Sequence, residues 1–330
     1  MKKLILDHLN HITMGDKQTY KNIVVFPLLC NKEISVDYIL LDEAIESKQI
    51  VITEESDDGI AAELMVENLS GENILILDGE RLVGARQNRA ANTTILIPAH
   101  SVVTIPISCI ERKRWHYQGQ GIMNKDRVTM RRNMAANESL MAAESFQSDQ
   151  GEVRDIWGMV VNEEKTQFHV DAPTCLIEDF HEHEQKPLDE YVKHFSVEDS
   201  QVGVLVLIDN HVMGCDCFGR YDTLRKNISR LIKSYAPGTI DTIGKKCTFS
   251  KRKAADFINN IRISIVKGRT SISLGTDLRL ESQKVTGSAL SIGKELIHFS
   301  AFVKEENDSR KKTRFFKSIS NSNLLNVSAA

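Results

Sequence analysis

The chain has no excess of one charge sign, little proline, and no cysteine pair at the spacing of a redox or zinc motif. Its 330 residues carry 42 Lys+Arg against 45 Asp+Glu, a formal net charge of −3. A global polycation, and with it generic coating of DNA, is excluded, while a local basic patch stays open. Six Pro and 18 Gly are too few for a collagen-like or low-complexity disordered chain. The six cysteines (Cys30, Cys109, Cys175, Cys215, Cys217 and Cys247) are scattered, with no CxxC. The Cys215/Cys217 spacing is poor for zinc, so reduced thiols packed as small hydrophobes are expected. Long apolar runs are missing as well. The longest, 202–208, has strand length, well short of the ~18 residues of a membrane helix. At the start, Leu4-Ile5-Leu6 stops at Asp7, so no signal-type apolar segment forms. These absences predict a cytoplasmic protein with no membrane partner.

What is present is ordinary for a folded chain: 41% hydrophobic and 26% charged residues. The length suits two domains or one large one. Residues 19–29 read as a strand ended near Pro27, and 37–47 as a short amphipathic helix. Five short apolar runs follow at Ile50–Thr53, Ala62–Asn68, Ile74–Leu77, Thr93–Ile97 and Val102–Cys109. Their spacing, with turn residues between them, predicts an antiparallel β-sandwich or partial barrel. Later, Val202–Ile208, the turn Asp209-Asn210 and His211–Phe218 read as a hairpin. An amphipathic helix over Asp222–Tyr235, a helix near 251–260 and strands between 261 and 303 complete the pattern. The fold class is α+β: an N-terminal antiparallel β-sandwich or partial barrel, then a helix-rich α+β part. The expected divisions are a β-rich domain over 1–133 with a basic loop at 111–133, a helical and hairpin-helix region over 134–244, and a strand-bearing C-terminal extension over 245–330.

Three polar stretches could carry chemistry. The densest is 78–92, Asp-Gly-Glu-Arg-Leu-Val-Gly-Ala-Arg-Gln-Asn-Arg-Ala-Ala-Asn, bracketed by apolar strands. If extended, it puts Gln87 and Arg89 on one side and Arg86 and Asn88 on the other. Each side then has a planar amide beside a guanidinium, suited to an anionic, hydrogen-bonding ligand. Asn92 closes the stretch. The alternative is a polar turn with a Glu80–Arg ion pair. The second stretch is Cys109 to Tyr117. Trp115 and Tyr117 can stack a base, and Arg112, Lys113 and Arg114 can meet phosphates; a solvated basic loop is the alternative. The third, Ser148-Asp149-Gln150-Gly151-Glu152, precedes a helix. Its acids can cap that helix or hold a divalent cation. His181-Glu182-His183-Glu184 resembles a metal cluster, but on a helix its histidines point to different faces.

Together these motifs resemble the prokaryotic ARPP proteins, named for association with ADP-ribosylglycohydrolase and rhodanese-phosphatase proteins. The most specific matches are Leu82 to Arg89, Asn92-Thr93-Thr94, Cys109 with Glu111, Arg114-Trp115 and Tyr117, Asp149-Gln150-Gly151, and Gly214-x-Asp216-x-Phe218 before a Leu- and Tyr-bearing helix. They cover most of 20–236, and 245–330 lies outside them. Arg154 stands where an aromatic residue is common in the family, and Arg86 where lysine is common. The resemblance implies a link to ADP-ribose or NAD-linked metabolism or to conflict systems, and carries over no catalytic residue.

The leading expectation is an enzyme or processing factor acting on a phosphorylated nucleotide. Glu80, Glu111 and Glu152 would be its acid/base or metal-binding carboxylates. Arg86, Gln87, Asn88, Arg89, Asn92, Arg114, Trp115, Tyr117 and Gln150 would hold the ligand. No cofactor is identified, and a divalent metal and a homo-oligomer are both open. The alternative is a non-catalytic module binding a nucleotide, a nucleic acid or a protein. Nucleic acid would bind through 112–132, which has seven cations in 21 residues.

Overall fold

The computed structural model describes residues 1–54, 63–83, 89–109, 123–127, 189–235 and 249–304. The N-terminal part holds α1 (Lys2–His11), β1 (Thr13–Met14), β2 (Gln18–Tyr20), β3 (Ile23–Leu29), β4 (Ile39–Leu40), α2 (Leu41–Glu46), β5 (Ile50–Glu54) and β6 (Glu63–Asn68). Next come β7 (Ile74–Ile76), β8 (Glu80–Val83), β9 (Arg89–Ala91), β10 (Ile95–Ile97), β11 (Ser101–Cys109) and β12 (Met123–Arg127). The later part holds β13 (Gln201–Ile208), β14 (His211–Phe218), α3 (Tyr221–Tyr235), α4 (Lys251–Ile263), β15 (Ile265–Thr270), β16 (Thr276–Glu281), β17 (Val285–Ile292) and β18 (Glu295–Val303). The class is α+β, but helices are few and strands dominate the described residues of both parts.

One antiparallel sheet of nine strands, in the order β1-β3-β13-β14-β18-β17-β16-β15 with β2 also on β3, curls as a half-barrel. Its strands come from the beginning, middle and end of the described chain. Alternation along β13 sends Val204, Val206 and Ile208 to one face and Leu205 and Leu207 to the other. On the Leu205 face, Ile5 and Leu9 of α1 and Ala254, Phe257 and Ile261 of α4 close a core. The Val204 face meets Leu224, Leu231, Ile232 and Tyr235 of α3, and Leu75, Leu77 and Leu96 around β7 and β10. The three-stranded sheet β10-β7-β4 also turns Ile74, Ile76, Ile95 and Ile97 toward Leu64, Val66, Ile105 and Ile107 of the six-stranded sheet β12-β8-β9-β11-β6-β5. Being covered on both faces, it is apolar at every position; β6, open on one face, alternates. The layers are therefore two helices, the large sheet, α3 with the small sheet, and the six-stranded sheet.

Two local expectations are revised. Pro27 does not end its strand. Its carbonyl accepts from the Gly15 N–H at 2.9 Å, so its missing donor faces the gap between the short edge strands β1 and β2. The helix expected over 37–47 begins at Leu41, because Ile39 and Leu40 pair in parallel with Ile74 and Leu75. The hairpin over 201–218 is as expected, with Asp209 (φ 48°) and Asn210 (φ 63°) forming its left-handed turn.

Candidate functional site

The polar stretch at 78–92 forms the outer arm of a bent hairpin. Its inner ladder pairs β7 with β10 and ends at Ile76 opposite Ile95. Its outer ladder pairs β8 with β9 and begins at Arg81 opposite Ala90. Between them both strands bend. Gly79, at φ 77°, supplies the positive dihedral of a tight turn in which the Glu80 N–H donates to Leu77 O at 3.2 Å. The bend moves the hairpin from the small sheet into the six-stranded one, where β12 lies beside β8 and the end of β11 beside β9. Backbone pairing thus brings the stretch from the 80s next to Cys109 and to residues 123–127.

The large sheet presents two polar rows to this bend. Cross-strand partners share a face, so one row runs Asp216, Ser300, Ser288, Arg279, Lys267. Its neighbour runs Phe218, His298, Leu290, Asp277, Arg269. A bulge at Ile297 puts that residue and His298 on one face, so the ring meets the hairpin while Ile297 still fills the core.

The contacts at the bend are closely knit. The Thr94 hydroxyl donates to Asp78 Oδ1 at 3.2 Å and accepts from the Asp78 N–H at 3.2 Å. Thr94 Oγ1 also lies 2.8 Å from His298 Nδ1. With the hydroxyl proton committed to Asp78, Nδ1 is the donor to Thr94. His298 Nδ1 is 3.5 Å from Asp78 Oδ1, and Nε2 is 3.4 Å from Asp216 Oδ1. Tyr235 donates to Asp216 Oδ2 at 2.8 Å, and Phe218 stacks on the His298 ring with centroids 4.9 Å apart. Alongside, Arg279 donates to Thr93 Oγ1 at 3.1 Å, and both Arg279 and Arg269 bond Asp277 Oδ2. Asp216 and His298 are 0% and 1% exposed. Low dielectric makes such bonds strong and any unmade bond costly.

Two helices brace the bend from the other side. Arg230 of α3 faces Glu80 Oε1 at 3.9 Å and pairs with Asp42 of α2. Lys226 pairs with Glu43. Burial pushes the Glu43 carboxyl up, but hydrogen bonds from Lys226 and the Leu40 N–H outweigh it, and the group sits below its ordinary value. Burial raises Tyr38 to about 12, against the hydroxyl of Thr223 2.8 Å away. Burial also pushes the Cys217 thiol well up. Cys217 points away from Asp216 into the opposite core, and Cys30 and Cys215 are likewise buried thiols outside any disulfide.

Of the carboxylates expected from sequence, Glu80 is buried: Oε2 accepts from the Leu77 N–H at 2.8 Å while Oε1 faces Arg230. Asn92 is half-buried at the bend, and Arg89 has its backbone in β9. Arg86, Gln87, Asn88, Glu111, Arg114, Trp115, Tyr117, Gln150 and Glu152 lie outside the described residues, as does the 181–184 run. Among the described residues no group of three or more His, Cys, Asp or Glu is set to hold a metal ion, and no helix is long and apolar enough to cross a membrane. Sequence reasoning missed His298, Asp277, Arg279 and Arg230. A lone histidine inside the apolar run Leu296–Val303 was the available signal for the first.

Among known proteins, the model of the ARG and Rhodanese-Phosphatase-superfamily-associated Protein domain, ARPP-1, matches residues 11–302. No curated protein and no solved structure matches. The motifs carry the likeness only to 236, whereas the family match continues through α4 and the strands that bear Arg279 and His298. Spanning both the bent hairpin and the sheet it rests on, that match makes the chain a member of the ARPP-1 family.

Proposed function

We propose that the chain acts on a phosphorylated nucleotide of the ADP-ribose or NAD-linked kind, taken up where the bent hairpin meets the polar rows of the large sheet. The observation that carries this reading is the placement of Lys267, Arg269 and Arg279 on one face, with Arg279 reaching Thr93 at the bend of the hairpin. Guanidinium and ammonium groups suit phosphate oxygens. Trp115 or Tyr117 would stack the base, and two of Glu80, Glu111 and Glu152 would serve as acid and base. Such a pair suits cleavage of an N-glycosidic bond through an oxocarbenium-like transition state. The family's association with ADP-ribosylglycohydrolase fits this substrate class.

A second reading, a binding module without turnover, is favoured by the engagement of the described carboxylates. Glu80, Asp216 and Asp277 each already hold a donor. A thermal-shift screen with ADP-ribose, NAD and other nucleotides, with and without divalent cations, tests both. Ligand at about a hundred times its Kd stabilises by about 2.7 kcal/mol. Stabilisation by ADP-ribose that weakens in the Lys267→Gln/Arg269→Gln variant supports the site. Turnover lost in Glu111→Gln or Glu152→Gln with the shift retained supports the enzyme, and a shift without turnover supports the module. No shift with any nucleotide refutes the enzyme and the nucleotide-binding form of the module.

A further inference from the structure

We propose that His298 is a positioning residue: it fastens the bent hairpin at its bend and so fixes the outer arm, β8 and β9. For its effect on ligand binding the proposal rests on the nucleotide reading above; the fastening itself does not.

A continuous β-ladder sets the direction of a hairpin arm through its backbone. Here the ladder is interrupted between the Ile76–Ile95 and Arg81–Ala90 pairs. Within that gap the backbone bond linking the two strands is Gly79 N–H to Ala91 O, at 2.8 Å. The angle between inner and outer arms therefore depends on side chains. Asp78 belongs to one strand of the bend and Thr94 to the other, and both meet the same imidazole edge. The opposite edge of the ring faces Asp216 on β14, which is tied to α3 through Tyr235.

The ring is itself held in place. The bulge at Ile297 aims it, Phe218 stacks on it, and it is 1% exposed. One side chain thus joins both strands of the bend to the large sheet and, through Asp216, to α3. Two further contacts reinforce it, from Arg279 to Thr93 and from Arg230 to Glu80. Of these contacts, one meets Thr93 and the other Glu80, whereas His298 meets both Asp78 and Thr94. Rigid support of this kind is what holds a binding group to its working geometry.

The test is hydrogen exchange on the full chain without ligand, comparing wild type with His298→Gln and Thr94→Val. A glutamine amide can reach one side of the ring's position but cannot bond both. Amides of 79–83 and 89–91 should exchange about tenfold faster in His298→Gln, while those of 204–207 and 278–280 keep their rates. Thr94→Val removes the same Nδ1 contact together with the direct Thr94–Asp78 bonds, so it should loosen the same segments. Equal acceleration across all sheets would show a general loss of stability and overturn the proposal, as would unchanged rates in the hairpin. If His298→Gln does not fold, His298→Asn, which leaves the Thr94–Asp78 bonds in place, decides: local acceleration supports the fastening and its absence overturns it. A parallel thermal-shift arm uses ADP-ribose. A shift in wild type that is lost in a variant with a loosened hairpin supports the role in ligand positioning. An equal shift with equal protection refutes that role. Absence of a shift in wild type refutes the nucleotide reading and leaves the exchange result standing.

Discussion

Changing Tyr235 to Phe removes one oxygen and leaves the ring, its packing and the helix around it in place. That oxygen donates at 2.8 Å to Asp216 Oδ2, on a carboxylate that is 0% exposed. A hydrogen bond to a charged group contributes about 1.5–3 kcal/mol, and a neutral pair about 1 kcal/mol. The protein holds its own control for the neutral case: Tyr38 bonds the Thr223 hydroxyl at 2.8 Å in the same core. Tyr235→Phe should therefore cost about 2 kcal/mol and Tyr38→Phe about 1 kcal/mol. Equilibrium urea unfolding measures both, provided the denaturant slope is common to the two variants. If Tyr235→Phe proves no costlier than Tyr38→Phe, Asp216 is not held as a charged acceptor beside His298.

Three further outcomes are expected. Gly214→Ala should cost about 3 kcal/mol or more, since its Cβ would stand 2.6 Å from Ala301 O and 2.7 Å from Phe302 Cδ1. Gly293→Ala, in open space at φ 58°, should cost only the backbone strain of about 1 kcal/mol, and thermal melts of the pair check the contrast. Arg230→Met should cost about 3 kcal/mol by removing the cation that faces the buried Glu80 and pairs with Asp42, as chemical denaturation would show. His8 is lowered from 6.5 to about 4 by burial, then by the charges of His11 and Lys32. The folded state thus keeps this ring neutral while the unfolded chain takes up a proton below 6.5. Its contribution is full above pH 6.5 and is lost as pH falls toward 4, about 3 kcal/mol in all. His8→Leu should flatten that part of the stability–pH curve.

The sequence made the local elements plain wherever one physical signal ruled. The valine-rich run at 202–208 with Asp209-Asn210 could hardly be anything but a tight hairpin, and the Leu224/Leu231/Tyr235 spacing marked α3. Where tertiary pairing intervened, local reading erred. Ile39 and Leu40 look helical until β7 offers them a parallel partner, and Pro27 looks like a stop until its missing donor meets a gap. The site divided in the same way. Polar density between apolar strands drew attention to 78–92, yet the half that receives it was hidden. Arg279 alternates with Leu278 and Leu280, as any half-exposed strand would show. Only the hairpin laid against that face turns the arginine into a buried group. His298 acquires meaning only from a bulge and from two partners some two hundred residues away in sequence.

The order of strands in the large sheet also governs how the chain can reach its native state. Pro27 lies opposite Val204, and Asp216 opposite Ser300. As the chain leaves the ribosome, β3 waits for β13, and the β13–β14 hairpin then waits for β18 to cover its open edge. Closing loops of that span is entropically slow, and the waiting edges are open to wrong partners. The large sheet can thus close only once its latest strands have been made, so truncation before β18 leaves the edge of β14 unpaired.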